Sequence, residues 1–138
     1  MSGKACAVPF RYGPHEIEVL AFRHPLAGNQ FVKGTIEASE RPEAAATREL
    51  YEESGLQLTA SPIFLGSSTI GLPPLQWHFY AFRSSDLPDH WDHQTEDGGG
   101  LTFSFFWQPV RGDLDNKWHL VFHDAFQLIK ASLQRTLR

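Results

Sequence analysis

GTIEASERPEAAATRELYEESGL, running from Gly34 to Leu56, decides how the rest of the chain is read. A glycine opens it, and a polar loop with Glu37 and Glu40 follows. A helix-forming run then carries Arg48, Glu49, Glu52 and Glu53 to Gly55. Pro42 suits a first helical turn, where its missing N–H would have had no intrahelical partner anyway. Gly55 stands where a helix end calls for a residue in the left-handed region. At about 100° per residue, Glu49, Glu52 and Glu53 share one side of this helix, and Ala46 and Leu50 form the adjoining apolar stripe. Carboxylates crowded beside a core repel one another. A hard cation relieves that repulsion, and Mg2+, with its octahedral preference for oxygen, fits best. Arg48, one turn before Glu52, is placed to pair with it and fix its rotamer. A glutamate-rich helix is ordinarily a solvated face. What sets this one apart is the coupling of loop glycine, arginine, leucine and terminal glycine at these spacings.

The stretch resembles the Nudix box, G-x5-E-x7-R-E-U-x-E-E-x-G-U with U apolar, at every fixed position: Gly34, Glu40, Arg48, Glu49, Leu50, Glu52, Glu53, Gly55 and Leu56. Two neighbouring positions depart from many members: Lys33 stands where a second glycine is common, and Ser39 where a glycine often precedes the loop glutamate. Both bear on loop shape and substrate rather than on a metal ligand. The resemblance implies an α/β fold, a Nudix-type α/β/α sandwich with a mixed β-sheet. It also implies hydrolysis of a nucleoside diphosphate linked to another group, with Mg2+ as cofactor and Mn2+ able to substitute. By analogy Glu52 and Glu53 are the core metal ligands, and Glu49 is a further ligand or a water-positioning group. The Gly34 carbonyl lies within reach of the metal, and Arg48 orients the carboxylates. Glu37 and Glu40 fix the loop through Arg48 or serve a second metal. Some members draw the general base from the box and others from a distal loop, which makes Glu96 a candidate beside its reading as an exposed loop acid.

Length and composition are those of an ordinary soluble domain, and residues 1–138 are expected to form one domain. A formal net charge of −4 argues against extended nucleic acid as a partner and leaves room for a local basic patch that meets a small nucleotide. Cys6 is the only cysteine, which excludes an intrachain disulfide and a multi-cysteine zinc site. No apolar run has transmembrane length, and MSGKACAVPF lacks a signal-peptide core, so a cytoplasmic enzyme without a membrane partner is expected. Assembly as a homodimer is left open.

Outward from the box, Lys4 to Arg11 reads as a strand, with Pro9 suggesting an edge or a bulge. Tyr12-Gly13-Pro14 is a turn and Glu16 to Phe22 a second strand. His24 to Asn29 reads as a loop, and Gln30 to Lys33 as a short strand delivering Gly34. After the box, Gln57 to Thr59 and Ile63 to Ile70 read as strand material, and Leu75 to Phe82 as the clearest strand. Asp86 to Gly100, including the Glu96-Asp97-Gly98-Gly99-Gly100 turn, reads as a long loop of the functional or mobile kind. Leu101 to Val110 returns as a strand. Phe122, Phe126, Ile129, Leu133 and Leu137 recur at helical spacing.

Arg23 and Lys33 flank the loop and are placed to meet phosphates, with plain surface cations the equal alternative. Trp77, Phe79, Tyr80 and Trp107 stack a base or, as alternation favours, fill the core. His90 and His93 serve as base or phosphate partner, or simply as surface histidines. Together with Asp89 and Asp92 they make a metal cluster only if a distant ligand joins them. Lys33-Gly34 resembles the start of the box in dinucleoside polyphosphate hydrolases, which puts that substrate class ahead of nucleoside triphosphates, oxidised triphosphates, nucleotide sugars, ADP-ribose and capped RNA ends. The alternative is a catalytically silent Nudix-fold nucleotide-binding or sensor module. Such relatives usually lose box glutamates, and this chain keeps them.

Overall fold

The computed structural model describes residues 3–96 and 99–137; Asp97 and Gly98, in the expected glycine-rich turn, lie outside them. In chain order the elements are β1 (Lys4–Tyr12), β2 (Ile17–His24), β3 (Gly28–Gln30), β4 (Val32–Thr35), α1 (Pro42–Ser54), β5 (Ile63–Ile70), β6 (Leu75–Arg83), β7 (Trp91–Gln94), β8 (Thr102–Pro109) and α2 (Leu120–Thr136). The strands join in one mixed sheet, ordered β5-β6-β1-β2-β8-β7, with β3 on β2 and β4 on β1. β1 and β6 are parallel, and the other strand pairs are antiparallel.

The apolar run from Ala5 to Phe10 becomes the central strand because both of its faces are covered. Alternation sends Ala5 and Ala7 to one face, where Leu20, Phe22, Val32 and Phe82 meet Ala45, Ala46 and Leu50 of α1. Cys6, Val8 and Phe10 go to the other, where Phe31 and Phe79 meet Phe122, Phe126, Ile129 and Leu133 of α2. Each of those buried large side chains contributes about 2 kcal/mol of hydrophobic stabilisation. The result is the α/β/α sandwich on a mixed sheet that the box implies. Among the described residues, no helix is long and apolar enough to cross a membrane.

Pro9 corrects the sequence expectation: its strand is central, not an edge. The Phe10 carbonyl accepts from the Ser84 N–H at 2.9 Å on the β6 side, so the pleat turns the Pro9 nitrogen the other way. There β1 changes partner, from β4 along residues 4–7 to β2 along residues 10–12, leaving a break in the ladder that suits a residue without a donor. Beyond the break β1 and β2 diverge, and residues 28–35 fill the opening as a V. One arm, β3, lies on β2; the other, β4, lies on β1; Phe31 is fully buried at the apex. Gly28 and Asn29, expected in a loop, belong to the first arm.

Two further expectations are corrected. Residues 57–59 are not a strand; Leu56 and Leu58 pack against the α1-side core instead of joining a ladder. The long polar stretch before Gly100 contains β7, which pairs with β8 from Trp91 opposite Phe105 to Gln94 opposite Thr102. Trp91 secures it by stacking on Phe105, with ring centroids 5.0 Å apart, and by donating from Nε1 to the Ser54 carbonyl. Trp77, Phe79, Tyr80 and Trp107 are all buried, so they are core residues.

Candidate active site

β4 brings Gly34 opposite Ala5 at the open end of the V, directly under α1. The Glu49 carboxylate lies where a Cβ on residue 34 would stand, so glycine is what lets helix and strand approach this closely. The connecting loop closes on itself: the Glu40 N–H donates to the Glu37 carbonyl and the Glu37 N–H to Glu40 Oε1, each at 3.0 Å. Ser39 takes a φ of 65° in this turn. A glycine there would be free of the left-handed penalty of about 1 kcal/mol that serine bears. α1 begins at Pro42 and ends at Gly55, whose φ of 78° and N–H bond to the Tyr51 carbonyl close the helix. A Cβ at Gly55 would also stand 3.0 Å from His93 Nδ1, so this glycine lets β7 press against the helix end.

Arg48 is the hub. Its Nε and Nη2 form a fork on the two oxygens of Glu40, both at 2.8 Å. Nη1 donates to Glu49 Oε1 and to Glu52 Oε1, both at 2.9 Å, and Nη2 also reaches the Thr35 carbonyl at 3.0 Å. Glu37 stands 3.4 Å from Nε. Planar, bidentate pairing of this kind fixes rotamers as well as charge. The hydrogen bonds from Arg48, with one from the Glu37 backbone, hold the Glu40 carboxyl down to about 2, while the fork to Glu40 pushes the Arg48 guanidinium up.

The Glu40 shift carries a pH prediction. Because its folded-state pKa lies below the ordinary value of 4.5, ionised Glu40 stabilises the fold above that pH and ceases to do so as pH falls toward 2. Glu40→Gln should therefore lower stability at neutral pH and show a shallower acid loss than wild type in melts taken between about pH 2 and 7. Parallel pH profiles for the two proteins would remove Glu40 as the anchor of Arg48.

Glu49, Glu52 and Glu53 share the side of α1 that the spacing predicts, and their donor set is all oxygen, which fits a hard divalent cation. Among the described residues, no three Asp, Glu, His or Cys side chains converge into a ready cation cage. Glu49 and Glu52 are instead turned onto Arg48, whose Nη1 donates to Oε1 of each. Glu53 Oε1 is shut off from solvent.

Glu96 follows β7, and the strand registers carry it to the same end of the sheet as Gly34. It lines, with Glu52, Tyr51, Leu56, Trp91 and His93, an open cavity of about 900 Å³. Asp89 and His90 do not join it: Asp89 accepts from Arg11 at 2.8 Å, and alternation in β7 turns Asp92 out while His93 faces Gly55. The histidine-aspartate stretch is therefore not one cluster.

Lys33 lies on one arm of the V, opposite Cys6 of β1, and Arg23 lies on β2 opposite Asn29 of the other arm. Both lie on the α2 face of the sheet, with the Lys33 ammonium 6.0 Å from the Phe122 ring. Neither contacts Arg48, whose partners come from α1, its loop and Thr35. Lys4, which the sequence alone did not single out, donates from Nζ to Thr35 Oγ1 at 2.8 Å. Burial and the neighbouring Lys33 lower its pKa against the opposing fields of Glu49 and Glu53, so all four charges meet at this end of the sheet. Only the β1–β4 register reveals this, since 29 positions separate Lys4 from Lys33.

A family model described as the NUDIX domain matches residues 3–125. No curated protein matches the chain significantly. Among solved structures, the NUDIX domain of Shewanella oneidensis NrtR, complexed with ADP ribose, superposes with a TM-score of 0.67 at 15% identity, over 98% of this chain and 87% of that one. The Bacillus subtilis pyrophosphohydrolase BsRppH gives 0.68 at 19% identity, over 98% and 82%. An Ap4A hydrolase of C. elegans gives 0.61 at 17%, over 99% and 96%. At such identities the likeness bears on the fold.

Proposed function

The chain belongs to the Nudix family and is a pyrophosphohydrolase of that kind; from this premise we propose that it cleaves, with Mg2+, a nucleoside diphosphate linked to another moiety, dinucleoside polyphosphates foremost. One observation carries the reading: Arg48 gathers Glu40, Glu49 and Glu52 beside Gly34, and Glu52 in turn lines a cavity together with Glu96. A volume of about 900 Å³ is at the upper end for a small-molecule site, which suits an extended substrate.

Glu49, Glu52, Glu53 and the Gly34 carbonyl would hold Mg2+, or Mn2+ in its place, which would supply charge neutralisation and Lewis-acid polarisation at the phosphate oxygens. The protein's part is positioning. Arg48 orients Glu49 and Glu52, and Glu40 anchors Arg48. Lys33 and Arg23 meet phosphate oxygens from the α2 face. Glu96, which lines the same cavity as Glu52, accepts a proton from the attacking water as its oxygen bonds to phosphorus and the bridging P–O bond breaks. A cytoplasmic setting belongs to this reading, supported by a core that holds without a disulfide.

The test is product release from a panel of diadenosine polyphosphates, nucleoside triphosphates, 8-oxo-dGTP, nucleotide sugars and ADP-ribose, with and without Mg2+ or Mn2+. Turnover that requires the metal and favours a dinucleoside polyphosphate is the expected result. Binding of nucleotides without turnover of any would replace the enzyme by the silent binding module.

A further inference from the structure

Lys4 and Lys33 stand out because like charges are set side by side. Lys4 faces Thr35 and Lys33 faces Cys6 across the β1–β4 ladder, so the two lysines are diagonal neighbours on the same face of the sheet, about 7–8 Å apart at their backbones. Flexible four-carbon stems of that spacing can close on one phosphate or on two in succession. Such a pair on adjacent strands is unfavourable by itself, and Lys4 is partly removed from solvent as well. The Lys4 ammonium donates to a neutral hydroxyl, Thr35 Oγ1. Thr35 is gripped from its other side by Arg48 through its carbonyl, and it follows Gly34, against which Glu49 lies. Lys4 is thereby tied to the loop that sets the box carboxylates, but presents its charge on the α2 face with Lys33.

We propose that Lys4 and Lys33 form a clamp for the phosphates beyond the pair being cleaved, and that the clamp selects substrates with three or more phosphates over those with two. This rests on the hydrolase reading given above. A diphosphate engaged by the box has no further phosphate to offer the lysines, whereas a triphosphate or a dinucleoside polyphosphate does. Lys4 is then a positioning and specificity residue, acting on the substrate's phosphate chain rather than on the reacting atoms.

The experiment compares diadenosine tetraphosphate with ADP-ribose in wild type, Lys4→Gln and Lys4→Arg. Lys4→Gln should raise KM for the tetraphosphate about tenfold more than for ADP-ribose, as expected for one lost charge-assisted contact, with kcat little altered. Lys4→Arg should restore most of that difference. Equal KM effects on both substrates, or a loss confined to kcat, overturn the clamp. Calorimetry with inorganic tripolyphosphate and pyrophosphate separates this proposal from the hydrolase reading. If no nucleotide is turned over but wild type binds tripolyphosphate more tightly than pyrophosphate, and Lys4→Gln abolishes the preference, the clamp stands without the hydrolase. If wild type shows no preference for tripolyphosphate, the clamp falls whatever the activity.

Discussion

Glu53→Gln should lower turnover by about two orders of magnitude or more while leaving the fold intact, since weakening the hold on the cation that would neutralise the reacting phosphates removes transition-state stabilisation of that order. Glutamine matches glutamate in volume, so the packing of Glu53, which shuts Oε1 off from solvent, survives the exchange. What is lost is a negative charge from the set that, on the proposed reading, Glu49, Glu52 and Glu53 would present to a divalent cation. The measurements are kcat on the preferred substrate, Mg2+ affinity by calorimetry, and Tm. The expected pattern is a large fall in kcat, weaker metal binding and an unshifted Tm. Wild-type turnover in this variant would withdraw Glu53 from the metal site.

Gly34→Ala tests the same site from the strand side. Its added methyl would take the space of the Glu49 carboxylate, so one of the two must move. β4 is held by its ladder to β1, whereas the carboxylate is the end of a flexible side chain, so Glu49 gives way and loses its bond to Arg48 Nη1. Activity should fall about a hundredfold, because a displacement of about 1 Å at a positioned group is enough for that. Stability should fall far less, with Tm moving by no more than a few degrees. Wild-type kcat/KM would mean that the position of Glu49 does not matter. A grossly unfolded variant would mean that Gly34 serves the fold rather than the site.

Legibility followed the range of the interactions. The limits of α1 were readable because they rest on local chemistry: Pro42 and Gly55 each act within one turn of the helix. The carboxylate face and the Ala46–Leu50 stripe were readable for the same reason, since i+3 and i+4 neighbours are fixed by the helix itself. β6 and α2 were visible as strong periodic runs. β7 was not, because Trp91-Asp92-His93-Gln94 is mostly polar and becomes a strand only by pairing with β8 and stacking Trp91 on Phe105. Pro9 misled for a related reason. The rule that excludes proline from central strands assumes an unbroken ladder, and β1 changes partner where Pro9 sits.

The sequence by itself determined the family, the helix that carries the carboxylates, and the pairing of Arg48 with Glu52, all of which are matters of spacing along one element. A pairing of Glu40 with Arg48 was one of the two roles that the box implied, and the fold sets it as a fork; tertiary structure alone decided that Glu49 lies on Gly34 and that Glu96 shares a cavity with Glu52. It also set Lys4 beside Lys33 on the α2 face. The reason is physical. A strand's faces follow from its own alternation, but which strand lies beside it, and in what register, is chosen by packing of the whole core, which no local stretch encodes.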